Sequence, residues 1–360
     1  MNEARSEIID HIQMPTLYPI KRRPDGQTTL RSSFGLFLVL AIPLLFIACP
    51  RNDPKTDRNV GVSMSTPNQT PTPFPGTVAF NGERAMDHVR KQLDFGPRPP
   101  GTPELGKTRD YIVNELKTSG VSVSTDEFTA TTPVGERRMI NVIGEIAGES
   151  KTIIIISSHY DTKLYKDMKF LGANDPAASV AALLELGRVL GANKGKLKAT
   201  YRLVFFDGEE AFCEGWDDCG KPDAPDNTYG SRHYVAQLKS KKELELVKAM
   251  ILLDMMGYRD LKLGRDTMST RWLQDIVWQT GKDIGYGSVF VDEPEGVGGD
   301  DHEPFLRAGI DSVDLIQLNG YPYWHKADDT LDKVSARSIK IVGDVVLASL
   351  PSLEGRVLNK

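Results

Sequence analysis

Seven acids and histidines stand where a folded chain would gather them into a reactive site. In chain order they are His159, Asp161, Asp175, Glu209, Glu210, Asp254 and His325. Most of them follow directly on an apolar run, and ligands of an open α/β sheet bind beyond the carboxyl ends of the strands. Taken singly, each has a plain structural explanation, since Asp175 would also cap a helix and Glu209 would also suit a solvated loop. Coincidence at five separate strand ends explains the set poorly, so we predict one shared cleft.

The mixture of donor atoms in this set predicts a metal. Carboxylate oxygens and imidazole nitrogens without a thiolate suit Zn²⁺ in a catalytic site that keeps one coordination position open. Glu209 and Glu210 are adjacent in the sequence, so only one of them can comfortably face the ion. The other is then free to move protons beside the ion, which combines Lewis acidity with a general base.

The elements that must position these residues alternate between apolar runs and helical patterns. Buried strands are predicted to begin at Met139, Thr152, Tyr201, Ala249 and Ser312. One helix is predicted to end at Gly96, and others are expected at 103–118, from Asp175 and Pro176 onward, and near 231–238, 270–284, 302–308 and 335–350. The alternation indicates an α/β fold, a three-layer sandwich whose mostly parallel mixed β-sheet carries helices on both faces.

The first 49 residues are predicted to be a signal peptide or lipoprotein signal, because basic residues precede an apolar run that ends at Cys49. The run is short for a bilayer span, which needs about 17–25 residues. A lipid-anchored Cys49, a plain cleaved signal and an uncleaved anchor stay open, and all three mean export, to the periplasm or to a membrane-anchored state. Residues 50–80 are rich in Pro and Thr and are predicted to be a linker. A zinc-dependent catalytic domain is then expected at 81–360.

Composition limits the partners. A net charge of −5 and a pI of about 5.8 give no basic field, so nucleic acid is not expected as a partner. Separately, we expect a monomer. Three cysteines are too few for a disulfide framework. For Cys213 and Cys219, a disulfide formed in an oxidising compartment and free thiols in a surface loop both stay open.

Several motifs together resemble a known family. They are SHYDT, GANDPAASVAALLEL, FFDGEEAF, YGSRH, ILLDMMG, DDHEPFLRAGI and YWHKADDTLDKV. In this order they are similar to the zinc exopeptidase clan that contains the M28 aminopeptidases, and within it they resemble the glutaminyl cyclases. The resemblance implies that Asp175, Glu210 and His325 bind one zinc ion and that Glu209 is the general acid/base.

The same resemblance implies a zinc-dependent acyltransferase acting on peptide or protein N-termini. N-terminal glutamine would become pyroglutamate with release of ammonia, and Asp254 and Asp300 would share hydrogen bonds around Glu209 and the substrate amine. Asp300 stands where the aminopeptidases commonly have serine, and Trp216 and Trp324 are implied as walls of the substrate pocket. These three residues favour the cyclase.

An M28-type aminopeptidase is the alternative. In such enzymes His159 and Asp254 would hold a second zinc ion and Asp175 would bridge the two. A catalytically dead relative is disfavoured because the implied ligands and base are all present. Asp314 departs from the cyclases, which often have a histidine there, and the stretch from Cys213 to Asn227 is longer than expected. His88 is expected on a helix surface, and His233 and His302 are interpreted as structural.

Overall fold

The computed structural model describes residues 78–359. The predicted signal sequence, Cys49 and nearly all of the predicted linker therefore lie outside the described residues. Among the helices of residues 78–359, none is long and apolar enough to cross a membrane.

A six-stranded sheet forms the middle layer. The strands of the described chain are β1 Ser122–Thr132, β2 Gly135–Ile146, β3 Ile153–His159, β4 Thr200–Phe206, β5 Gly220–Lys221, β6 Ala224–Pro225, β7 Val247–Leu253, β8 Leu263–Asp266, β9 Phe290–Glu295 and β10 Ser312–Leu315. The order in the sheet is β1-β2-β4-β3-β7-β10, with β4, β3, β7 and β10 mutually parallel and β1 and β2 antiparallel at one edge. The prediction of a mostly parallel mixed sheet is confirmed.

Helices cover both faces of this sheet. They are α1 Gly82–Phe95, α2 Pro103–Thr118, α3 Ser179–Ala192, α4 Tyr229–Ser240, α5 Arg271–Asp283, α6 Glu303–Arg307 and α7 Ala336–Leu358. Alternate residues of the central strand β3 point to opposite faces, as strand geometry requires. Ile154 and Ile156 join the core formed with α1, α2, α3, α5 and α7, whereas Ile153 and Ile155 join the core under α4 and α6. The predicted three-layer sandwich is therefore confirmed.

Two helix starts follow from local capping chemistry. The Thr102 hydroxyl accepts the N–H of Leu105, and Pro103 occupies the first turn of α2, where its missing N–H costs nothing. Asn81 caps α1 in the same way. Phe80, which the linker prediction placed in the tether, is 3% exposed and belongs to the main core, so the folded part begins before residue 81.

Three other predictions about elements were wrong in detail. The helix expected to open at Asp175 begins at Ser179, after an irregular turn at Ala173–Ala178 in which Asp175 is extended. Helix α7 continues through Pro351 to Leu358, because Leu353 and Val357 go on packing in the core. His88 is buried rather than on the surface.

Candidate active site

The parallel strands bring the predicted residues to one edge of the sheet. β3 ends at His159, β4 is followed by the turn that carries Glu209 and Glu210, and β7 is followed by Asp254. Asp175 lies in the turn before α3, and all five side chains are buried. This edge is the carboxyl end of the parallel strands, where an open α/β sheet forms its ligand crevice.

Asp175, Glu210 and His325 form one candidate metal group, with donor atoms within 4.8 Å of one another. His325 Nε2 lies 3.0 Å from Glu210 Oε2 and 3.6 Å from Asp175 Oδ2. Neither carboxylate oxygen of Glu210 has a hydrogen-bond donor, although both are buried. A buried carboxylate without hydrogen bonds is costly, and two carboxylates with one imidazole are a donor set that suits zinc.

A second group shares Asp175 with the first. His159 Nε2 lies 3.2 Å from Asp175 Oδ1 and 3.4 Å from Asp254 Oδ1, and the three donor atoms are within 4.8 Å. The two imidazole nitrogens of His159 also lack hydrogen-bond partners. The described residues therefore present ligands for one ion or for two.

Neighbouring charges separate Glu209 from Glu210. Burial raises the pKa of Glu209 well above its usual range, and the charges of Glu210 and Asp300 raise it further against the attraction of His159. Burial also opposes ionisation of Glu210, but His325 outweighs it and lowers the pKa of Glu210. The pair thus divides into a carboxyl whose proton affinity is raised and a carboxylate that faces a cation.

Asp300 extends the acidic cluster behind Glu209. Its side chain is 2% exposed, Oδ1 accepts the N–H of Asp301 at 2.5 Å, and Oδ2 has no partner. Burial raises the pKa of Asp300, and the charges of Asp254 and Asp301 add to the effect. Asp314, His302 and Asp300 have donor atoms within 4.8 Å, so Asp314 lies next to Asp300, within this network.

Two aspartates hold the backbone that carries the site. Asp161 accepts the N–H groups of Glu209 at 3.1 Å and Glu210 at 3.3 Å. Oδ1 of Asp329 accepts the N–H of Asn174 at 2.8 Å, and Oδ2 accepts the N–H of Asp175 at 3.1 Å. The sequence places Asp161 at a strand end but gives it no role, and the position of Asp329 inside the motif YWHKADDTLDKV is the only signal that pointed to it.

Two buried cations fix neighbouring loops, and sequence reasoning missed both. Lys163 Nζ donates to the carbonyls of Ala211 at 2.8 Å and Cys213 at 3.0 Å, just after Glu210. Arg98, which is fully buried, donates to the carbonyls of Leu171 and Gly172 ahead of Asp175. No sequence pattern marks a lysine or arginine as buried, since these residues are almost always exposed.

The two predicted pocket tryptophans lie beside different residues of the site. Trp324 stacks on His325 with ring centroids 4.4 Å apart and stays 39% exposed. The Trp216 indole Nε1 lies 3.6 Å from where a Cβ on Gly299 would stand, next to Asp300. Cys213 and Cys219, left open by the sequence, form a disulfide around Trp216.

Comparisons with known proteins agree with this geometry. The family model described as peptidase family M28 matches residues 141–350. The glutaminyl-peptide cyclotransferase of Dictyostelium discoideum is 31% identical over 318 residues, covering 74% of this chain and 85% of that protein. A Bos taurus glutaminyl-peptide cyclotransferase-like protein is 30% identical over 265 residues, covering 65% of this chain and 66% of the relative.

Solved structures lead to the same family. The crystal structure of a glutaminyl cyclase from an Acidobacteriales bacterium aligns with a TM-score of 0.72 and 34% identity, covering 78% of this chain and 97% of that one. The chain therefore belongs to the M28 peptidase family and, within it, to the glutaminyl cyclases.

Proposed function

We propose that this protein is a glutaminyl-peptide cyclotransferase that converts the N-terminal glutamine of peptides or proteins to pyroglutamate and ammonia. The observation that carries the proposal is the buried pair of Glu209 and Asp300 beside the Asp175, Glu210 and His325 group, in a chain similar to glutaminyl cyclases. Membership in the family supports the reaction class. The arrangement of acids supports the roles.

The reaction joins two ends of one residue. The α-amine nitrogen of the substrate attacks the carbon of its own side-chain amide, a C–N bond forms, the bond to the amide nitrogen breaks, and ammonia leaves. Asp175, Glu210 and His325 would hold one zinc ion, which would supply Lewis acidity at the amide carbonyl. Because nucleophile and carbonyl belong to one residue, positioning supplies much of the rate.

Residues of the chain supply the proton transfers. Glu209 takes a proton from the attacking amine and returns it to the departing nitrogen, a task that suits a carboxyl with a raised pKa. Asp254 and Asp300 accept hydrogen bonds from the amine and orient it. His159 lies 3.5 Å from Glu209 Oε2 and helps to fix the carboxylate.

A second candidate, an M28-type aminopeptidase, rests on one observation. His159, Asp175 and Asp254 form a second possible metal group that shares Asp175 with the first. With two ions, Glu209 would instead activate a water for hydrolysis of the first peptide bond. One neighbour in the structural comparison carries such a name, a leucine aminopeptidase precursor from Bacteroides thetaiotaomicron.

The location and assembly state are also proposals. We propose export to the periplasm, with a lipid anchor at Cys49 as the membrane-attached form, and a monomeric enzyme. The basic and apolar run before Cys49 supports export. The Cys213–Cys219 disulfide supports an oxidising compartment.

Mass spectrometry of a glutamine-initiated peptide separates the two activities. The purified zinc-loaded protein is expected to remove ammonia from the peptide, at a rate far above that of spontaneous cyclisation in buffer. Removal of the entire first residue would refute the cyclase and identify an aminopeptidase. Metal analysis of the same sample, one zinc ion per chain against two, gives an independent second readout.

A further inference from the structure

The segment between EEAF and YGSRH, residues 213–227, is a cross-linked loop that lies next to Gly299, the residue before Asp300. We call it the 213–227 loop. The Cys213–Cys219 disulfide closes its first half into a small ring that contains Trp216, and the two short strands β5 and β6 form its second half. The proposed proton transfers and metal group use no residue of this loop.

Both ends of the 213–227 loop are held by buried polar groups. The N–H of Cys213 donates to Asp226 Oδ2 at 2.8 Å, and the hydroxyl of Tyr229 donates to Asp226 Oδ1 at 2.6 Å. Asp226 is 1% exposed, so both of its bonds are made in a dry environment where they are strong. The side-chain amide of Asn227 donates to the Trp216 carbonyl at 3.2 Å. Together with the disulfide, these bonds fix the backbone of Trp216.

A cavity of about 350 Å³ lies against this loop. Its lining includes Trp216, Asp217, Lys221, Gly298, Glu303 and Arg307. Gly298 is two residues from Asp300, and the Trp216 indole approaches the intervening Gly299, so the cavity borders the segment that carries Asp300. Cations and anions both line it, which suits the alternating donors and acceptors of a peptide backbone.

We propose that this cavity is a subsite for the residues that follow the N-terminal residue of the substrate. Trp216 forms its inner wall, and the Cys213–Cys219 disulfide and Asp226 are positioning residues that hold Trp216 in place. The inference rests on the proposed function and adds a binding site for the residues after the first, since an isolated glutamine would leave the cavity empty.

The test compares a glutamine-initiated tetrapeptide with glutamine amide, which ends at the first residue. Asp226→Asn replaces one of the two acceptor oxygens, which bind the Cys213 N–H and the Tyr229 hydroxyl, by an amide NH₂. Cys213→Ser/Cys219→Ser removes the disulfide and so opens the ring. In both variants the ratio of the tetrapeptide KM to the glutamine amide KM is expected to rise about tenfold, since binding energy specific to the longer substrate is lost. Asp223→Asn makes the same chemical change at an exposed position of the same loop, outside the cavity lining, and its ratio is expected to match the wild type.

A double-mutant cycle tests whether the disulfide acts through Trp216. Adding Trp216→Ala to the ring-opened variant is expected to change the ratio no further than Trp216→Ala alone, because groups that act as a unit are not additive. Thermal unfolding of each variant checks that it is folded, and Asp226→Asn keeps the test available if ring opening prevents folding. An unchanged ratio in folded Asp226→Asn, or multiplicative effects in the cycle, would overturn the proposal.

Failure of the function and failure of the subsite are distinguishable. If the wild-type protein makes no pyroglutamate, the proposed function is refuted. The subsite is then tested by calorimetric binding of the same tetrapeptide. Relative to the wild type, Asp226→Asn is expected to bind it about tenfold more weakly, and Asp223→Asn is expected to bind it equally well. Equal binding by the wild type and Asp226→Asn would refute the subsite whatever the reaction is.

Discussion

Glu209 and Glu210 show how environment separates two identical residues. Both carboxyls are buried and both N–H groups are held by Asp161, yet His325 faces only Glu210 while Asp300 adds negative charge near Glu209. Glu210 is therefore placed to bind a cation, and Glu209 is placed to exchange protons. Their roles are therefore separable by mutation.

Replacing each glutamate by glutamine is expected to give opposite patterns of loss. Glu209→Gln removes the exchangeable proton and should lower kcat by about 10²–10⁴-fold while zinc stays bound. Glu210→Gln removes a ligand charge and should weaken zinc binding by more than about 100-fold, since even partners of ligands are worth 10–100-fold. Metal analysis after dialysis and turnover of a glutamine peptide measure both. Appreciable turnover by Glu209→Gln would contradict its role.

His88 is a buried histidine outside the site, and it predicts a pH dependence of stability. Burial, with some help from Arg84, lowers its pKa to about 4, and Nδ1 lies 2.6 Å from the Tyr111 hydroxyl. Between pH 6.5 and 4 the unfolded chain takes up a proton that the folded chain does not. The free energy of unfolding therefore falls as pH falls through this window, by up to about 3 kcal/mol, and levels off below it.

Urea unfolding at pH 7, 5.5 and 4 measures this effect. His88→Gln should lose less stability on acidification than the wild type, because other titrating groups are common to both proteins. His233→Gln makes the same substitution at a partly exposed histidine and is the matched control. If the free energy of unfolding depends on pH with the same slope in the wild type and in His88→Gln, then folding does not lower the pKa of His88.

At the scale of elements, prediction from sequence succeeded where the signal is local. Thr102 and Pro103 define the start of α2 by capping chemistry alone, and the first four residues of β3 are isoleucines, an apolar β-branched run typical of a strand buried on both faces. Strand β1 was not predicted because its sequence, SVSTDEFTATT, is polar and largely exposed, so only pairing with β2 makes it a strand. Likewise, the end of α7 depends on tertiary burial that overrides Pro351.

The site followed the same rule. Acids at strand ends were found because topology brings all such ends together. Lys163 and Arg98 were not, because their acceptors are backbone carbonyls of segments distant in sequence. Every residue type has a backbone carbonyl, so the sequence does not show which carbonyl a buried cation will bind. The roles of Lys163 and Arg98 are therefore visible only in the folded structure.

Two glycines of α7 test how closely this helix packs. A Cβ on Gly343 would lie 2.3 Å from the ring of buried Phe80, whereas a Cβ on exposed Gly355 would meet nothing within 4 Å. Gly343→Ala should therefore destabilise the protein by about 1–3 kcal/mol through overpacking. Gly355→Ala, the matched change in the same helix, should stabilise it by about 0.5–1 kcal/mol through helix propensity. Thermal or urea unfolding measures both, and equal signs would contradict the packing described here.

At the scale of the whole molecule, contacts made just before α1 attach residues 79–81 to the rest of the described structure. Phe80 fills the core against Gly343, the N–H of Asn81 donates to Glu185 at 2.7 Å, and the Ala79 carbonyl accepts from Arg188. These contacts join the start of the described chain to α3 and α7. The predicted boundary at residue 81 would cut through them.

Two fragments that differ by four residues test this boundary. A fragment that begins at Val78 retains the Phe80 side chain and the Asn81 cap, and one that begins at Gly82 loses both. The shorter fragment should be less stable by about 2.5–4 kcal/mol, because it loses about 1.5–3 kcal/mol from burial of the ring and about 1 kcal/mol from the cap. Urea midpoints in the presence of a chelator measure the difference without a contribution from metal. Coincident unfolding curves would mean that residues 78–81 contribute nothing to stability and that the contacts of Phe80 are not needed for folding.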